Sequence, residues 1–294
     1  RRVLFRSMKA IYKKEVKSYL TSMIGYVFIF FILLLEGIYF TAYNLQNAYP
    51  LFGTTLSAVT FIFLILVPVL TMKTIAEERK QKTDQLLLTA PVSVSEIVLG
   101  KFLAVATVYA IPVLIICLYP MIMGKYGTVS YAMAYTAVLG FALLGFAQIA
   151  VGVFWSSVTE NPVIAAVVTF IVLFVCYMIT GIGSLIPDSS MASLACYMLL
   201  VLLAAVWIYH MIRNLWIAAV IGIAGEAALA ITYVVKSTLF EGSIQKFLSV
   251  FDITSHFDNF TNGILDLQGV VYFLSVIIIF LVLTVQTITK RRWN

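Results

Sequence analysis

Charge is scarce in this chain. Only 11% of its 294 residues are Asp, Glu, Lys or Arg, less than half of the ~25% usual in soluble domains. Such a sequence cannot clothe a water-facing surface, and soluble readings are excluded. Histidine is nearly missing, with His210 and His256 alone, and the three cysteines (Cys117, Cys176 and Cys196) form no CxxC pair. Neither a zinc site nor a disulfide framework has ligands at a workable spacing. All three cysteines fall in apolar runs and read as inert packing residues. The chain also lacks a GxxxxGK[ST] loop, so it has no backbone cradle for nucleotide phosphates. It contains no low-complexity tract, no visible repeat and no linker rich in Pro, Gly or Ser, and one membrane domain is the economical reading.

Apolar length is what the chain has in abundance. Hydrophobic residues make up 62% of it, and runs of about 18 or more, enough to cross a ~30 Å hydrocarbon core, recur. Candidate spans lie near 23–43, 54–75, 98–123, 131–155, 162–184, 192–209, 215–235 and 269–289. The sixth is short and can pair as a hairpin with the seventh, so the expected fold is an all-α polytopic membrane bundle of six to eight spans. The first run has no small-residue cleavage site followed by a soluble domain, and it stays as a span.

The formal net charge of +6 does not point to nucleic acid. Arg1, Arg2 and Arg6 sit in "RRVLFRS", residues 1–7, ahead of a plausible start at Met8, and this stretch reads as a non-native leader. The remaining basic residues gather at the ends of apolar runs. Alternate segments hold thirteen of them (Lys9, Lys13, Lys14, Lys17, Lys73, Arg79, Lys80, Lys82, Lys101, Arg213, Lys290, Arg291 and Arg292) against three (Lys125, Lys236 and Lys246). By the positive-inside rule both termini and the loop at 76–97 are cytoplasmic. Trp155, Trp207, Trp216 and Trp293 all fall near the same ends, where amphipathic rings prefer to sit.

Two non-spanning stretches have helical periodicity. Tyr12, Val16, Tyr19 and Leu20 form an apolar stripe on a basic helix expected to lie along the inner leaflet. Within 236–268, Ile244, Phe247, Leu248 and Phe251, then Phe257, Phe260, Ile264 and Leu267, suggest short helices dipping into the outer interface.

The loop after the second candidate span is longer than a turn requires. It runs through Glu77, Glu78, Arg79, Lys80, Thr83 and Asp84, then Leu86, Leu87 and Leu88, then Pro91. Contiguous leucines on an exposed loop mark an interface. "AEERKQKTDQLLLTAPVSVSEIVLGKFLA" (76–104) resembles the first cytoplasmic loop of permease subunits of type-2 ATP-binding-cassette (ABC) transporters, and "SHFDNFTNGILDLQGVVYFLS" (255–275) is similar to that family's approach to its last span. The N-terminal amphipathic helix matches its elbow helix. Where the family usually has glycine before the threonine, this chain has Lys82, and 192–235 looks like a hairpin beyond the common six spans.

The resemblance implies a transmembrane permease domain over 8–294, in a multi-pass protein of a bacterial plasma membrane. The nearest likeness is to permeases associated with gliding motility and nitrous-oxide-reductase maturation. The loop residues named above would form the coupling helix seated on an ABC ATPase. ATP and Mg would sit on that partner, with no cofactor on this chain, and a second permease would complete a homodimer or heterodimer. The implied activity is export of an unspecified substrate. A membrane anchor or mechanical scaffold for an ATPase is the alternative from another class. An intramembrane protease built on "EER" lacks histidines, because His210 and His256 are expected on opposite sides.

Within the spans, Glu226 and Glu36 are the acids that hydrocarbon penalises, by a few kcal/mol at mid-helix (about 2.5–3.5 on insertion scales for Asp). Each reads either as a contact for substrate or proton or as a hydrogen-bonded structural glutamate. Pro68, Pro112 and Pro120 should kink their spans. Gly140, Gly145, Gly152 and Ser156 offer small surfaces for packing within the chain.

The charge asymmetry fixes a topology that labelling checks. Single cysteines placed at Ser130 and Ser189 should react with an impermeant thiol reagent from outside, and one at Ser95 only from inside; the reverse pattern overturns the orientation.

Overall fold

The computed structural model describes residues 2–84, 92–212 and 214–293. Among them there is helix and no strand. In chain order the helices are α1 (Arg2–Thr21), α2 (Met23–Tyr39) continued by a π-helix (Phe40–Gln46), α3 (Phe52–Thr60), α4 (Phe63–Thr71) and α5 (Ala76–Lys80). Next come α6 (Val94–Ile116), α7 (Tyr119–Met123), α8 (Tyr131–Val158), α9 (Pro162–Ser184), α10 (Ser190–Ile212) and α11 (Leu215–Val235). A 3₁₀ turn (Ser237–Phe240), α12 (Ser243–Ser249), a second 3₁₀ turn (Ser255–Phe257), α13 (Asp258–Thr261) and α14 (Leu267–Trp293) complete the order.

Five helical stretches are long and apolar enough to cross a membrane: Met23–Gln46, Val94–Met123, Tyr131–Val158, Pro162–Ser184 and Leu267–Arg292. Two bent pairs raise the number to seven if each counts as one span. One pair is α3 with α4, bent by 59°. The break falls at Phe61–Ile62, before Pro68, which cannot donate to the Leu64 carbonyl one turn back. The other pair, Ala219–Val235 with Ser237–Ser249, bends by 116°. The expected sixth span falls on α10, an apolar helix of 23 residues (Ser190–Ile212), of which Ser190–Val206 is a shorter apolar stretch. Pro112 sits inside an unbroken α6, and Pro120 opens α7, where a missing N–H costs nothing.

The chain divides into two compact units, Arg1–Phe174 with Ile253–Asn294, and Val175–Asp252. In the first, α8 is the axis, packed by α3, α4, α6 and α14. Its glycines receive side chains from the neighbouring elements. An added Cβ would lie 2.5 Å from Phe260 at Gly140, 2.2 Å from the Tyr109 ring at Gly145 and 2.2 Å from Thr71 Oγ1 at Gly152. Tyr109 donates a 2.7 Å hydrogen bond to the Phe141 carbonyl, and Phe63 packs 4.9 Å from the Phe141 ring. The small residues therefore serve contacts within the chain, as their spacing suggested.

Short helices do form before α14; Phe247 and Phe251 are exposed as expected of an interfacial stretch, but Phe257 and Phe260 point into protein. Phe257 and Phe260 are fully buried, and α13 comes so close to α3 that a Cβ on Gly53 would lie 2.1 Å from the Thr261 carbonyl. The stretch is a plug on the end of the bundle opposite the charged loop. In the second unit, α10 and α11 form a hairpin tightened by glycine, with Val201 2.8 Å from a Cβ at Gly225. Thr180 donates to Asp252, and Gln245 Nε2 donates to the Ile186 carbonyl at 2.9 Å.

Overpacking a close crossing costs about 1–3 kcal/mol. Gly152→Ala should therefore lower the melting temperature in detergent by several degrees, while Gly181→Ala, with nothing within 4 Å of the new methyl, should leave it unchanged or slightly raised.

Candidate functional site

The charged loop begins as α5, with Glu77 and Glu78 in its first turn and Arg79 and Lys80 in its last. This order complements the helix dipole. Five residues do not hold a helix unaided, and its start is fixed by Ser156 at the end of α8. The Ser156 hydroxyl accepts from the backbone N–H of Ile75 and of Ala76, each at 3.1 Å, and donates to the Met72 carbonyl at 3.1 Å.

Behind α5 lies a buried ammonium. Lys101, 2% exposed, comes from α6, where Ser93 caps the first turn by accepting from the Glu96 N–H. Its Nζ lies 2.9 Å from Glu78 Oε2 and donates to Glu15 Oε1 at 3.0 Å and to the Thr74 carbonyl at 2.8 Å. Two of the ammonium's three protons are thus placed in hydrogen bonds, and the Glu78 carboxylate adds a close ion pair. α1 reaches the site because Gly100 leaves room for Ile11 and the Met8 carbonyl. On the same helix Tyr19 donates to the Leu70 carbonyl at 3.2 Å and shares a 3.1 Å hydrogen bond with the Thr74 hydroxyl. Burial pushes the Tyr19 phenol well above its usual range; Thr74 opposes this, and Glu15, Glu77 and Glu78 add to it. Tyr19 thus remains a protonated donor.

A second network faces the C-terminus. Arg79 donates to the Ser157 carbonyl and to Glu160 Oε1 at 3.2 Å. Arg291 on α14 reaches the same Glu160 oxygen at 3.3 Å and Asp84 Oδ2 at 3.2 Å, while Arg292 donates to the Val92 carbonyl at 3.3 Å. Burial, then the neighbouring Arg291, lowers the proton affinity of Arg79, and Glu160 opposes the change. Its guanidinium stays charged.

The expected loop residues divide by what they touch. Glu78, Arg79 and Asp84 belong to the networks, Glu77 meets Lys73 at 3.6 Å, and Thr83 turns back onto the Glu78 carbonyl at 3.3 Å. Lys80 is exposed. Leu86, Leu87, Leu88 and Pro91 lie outside the described residues. Lys82 adopts φ 58°, a left-handed conformation that glycine takes without strain. The family's glycine preference at this position thus has a backbone reason here.

Sequence reading missed Glu15, Lys101, Ser156, Glu160, Arg291 and Arg292 as members of the site. Two of them carried a signal. Lys101 stands two turns inside an apolar helix, where an ammonium needs a partner, and Glu15 is the one acid between Lys14 and Lys17.

The two intramembrane acids stand apart from this site. Glu36 follows Phe28 and Ile32 at helical spacing on the inward stripe of α2, fully buried, and neither carboxyl oxygen has a hydrogen-bond partner. Glu226 lines an open, mainly apolar groove of 670 Å³ between α10 and α11, with Leu202, Tyr209 and Gly222.

No group of three or more His, Cys, Asp or Glu side chains among the described residues could hold a metal ion. A family model described as ABC-2 family transporter protein matches residues 35–289, and the chain belongs to that family. The comparison with curated proteins found no match.

Removing one partner of a buried ion pair costs about 3–5 kcal/mol. Lys101→Met should therefore lower thermal stability sharply, because Glu15 and Glu78 are left facing each other. Lys73→Met, at a half-exposed pair worth about 0–1 kcal/mol, should change little. Equal melting temperatures for the two variants would show that the buried ammonium does not organise this end of the bundle.

Proposed function

We propose that the chain is the permease subunit of an ATP-driven exporter, with residues 76–91 as the seat of a separate ATPase. Membership of the ABC-2 family and the absence of a phosphate loop in the sequence support the division of labour. The observation that carries the assignment of the seat is the pinning of α5. A docking element transmits force only if it is rigidly joined to the moving helices. Here α5 is joined to α1 and α6 through Lys101, to α8 through Ser156 and Ser157, and to α14 through Glu160 and Arg291.

In this reading ATP and Mg bind to the partner, and closure of its nucleotide sites pushes on the seat. The push tilts the helices of two paired permeases and alternates access to a path between them. The direction of transport and the likeness to the bacterial gliding-motility and nitrous-oxide-reductase permeases rest on the sequence resemblance. Both termini are placed in the cytoplasm by the basic residues. α1, α5 and the C-terminal ends of α8 and α14 meet in one cluster of charges, which agrees with a shared side for all of them.

The experiment compares Leu86→Ala/Leu87→Ala with Lys80→Ala in a pull-down and in permease-stimulated ATP hydrolysis. Buried apolar clusters carry most interface energy and rim charges little. The leucine variant should lose docking or stimulation while inserting normally in the membrane, and Lys80→Ala should do much less. Full docking and stimulation in the leucine variant would remove this stretch as the seat. Nucleotide-dependent transport by reconstituted vesicles separates an exporter from a non-transporting anchor.

A further inference from the structure

We propose that the groove between α10 and α11 binds a net-cationic amphiphile, a molecule with one protonated amine on a hydrocarbon body. The two helices approach closely at two points. An added Cβ would lie 3.1 Å from the Ala205 Cβ at Gly222 and 2.8 Å from Val201 at Gly225. These contacts set the register of the hairpin, with residue 205 facing 222 and residue 201 facing 225. Half-buried Glu226 therefore stands at the level of Val201 and Leu202, and Tyr209 marks the end of the groove nearer the turn. Beside the crossing, Ala205, Ala219 and Gly222 are too small to fill the space, while Leu202, Val206 and Ile223 form exposed apolar rims.

The lining selects the chemical class. Apolar walls call for an apolar body. Glu226 is the one carboxyl among the described lining residues, and no basic side chain is among them. Its Oε2 is buried without a hydrogen-bond partner. An acid with an open acceptor in an apolar segment is costly unless a donor or a cation meets it, and a protonated amine supplies both. An anion would be repelled, and a plain hydrocarbon would leave the acceptor unpaired. The groove holds 670 Å³, within the range of about 300–1,000 Å³ usual for small-molecule sites. A helix of another chain fits it less well. Along α10 the lining runs from Met198 to Tyr209, about 16 Å of helix, roughly half of a ~30 Å hydrocarbon core.

The test uses the full chain in phosphatidylcholine nanodiscs. The probe is dodecylamine carrying a photoactivatable diazirine, and the matching dodecanol is the uncharged control. The amine should label residues within 198–230 saturably. Glu226→Gln should weaken that labelling about tenfold, as loss of a charge-assisted hydrogen bond does, and should leave labelling by the alcohol and the melting temperature unchanged. Ala227→Leu, which narrows the groove and keeps the acid, should also weaken labelling by the amine, and it decides the matter if Glu226→Gln fails to accumulate. Labelling that does not saturate, the result expected if a helix of a second chain fills the groove, would overturn the site. So would labelling outside 198–230, or labelling equally strong in Glu226→Gln. Displacement of the probe by phosphatidylethanolamine added to the nanodiscs would assign the groove to a zwitterionic membrane lipid and overturn the net-cationic occupant.

Discussion

A buried ammonium held by two carboxylates and a carbonyl holds the charged end of this bundle together. Lys101 is surrounded by Glu78 and the Thr74 carbonyl from the loop after α4 and by Glu15 from the N-terminal helix. A lone cation there would be too costly to bury, and two carboxylates that close would repel. Each group is tolerable only because the others are present. The loop after α4, the N-terminal helix and the start of α6 are therefore obliged to meet, and a short helix that could not stand alone gains a fixed address.

The rest of the first unit transmits that address along the bundle. Glycines on α8 admit Phe260, Tyr109 and Thr71 at nearly backbone distance, so helices from either side close on it without gaps. Packing of this density does not bend smoothly; it moves in blocks. The plug formed by Phe257 and Phe260 at one end and the ion-pair networks at the other thus belong to the same rigid stack. α14 runs past both, with Phe273 beside Phe260 and Arg291 beside Glu160.

Glu36 and Glu226 show how differently one residue type can be used. Glu36 falls on the inward stripe of α2 and is sealed among aromatic and aliphatic side chains. Glu226 faces an open groove in a separate unit. Hydropathy alone treats them alike, because both are single acids within apolar runs.

The sequence by itself determined the solvent: 62% hydrophobic residues in runs of spanning length leave only a membrane, and the basic residues at alternate ends predict an orientation in it. It also singled out the loop at 76–91, where charges and contiguous leucines suggested an interface. What it could not determine was which distant groups complete that loop. Ser156, Glu160, Arg291 and Arg292 are ordinary residues at or beside helix ends, and nothing in their local spacing ties them to residue 79 or 84. The break between α3 and α4 was equally hidden, because an apolar run reads the same whether straight or bent by 59°. Only the tertiary structure decides such matters, because the pairing of a buried charge depends on which helices pack together, and periodicity within one helix is silent about the next.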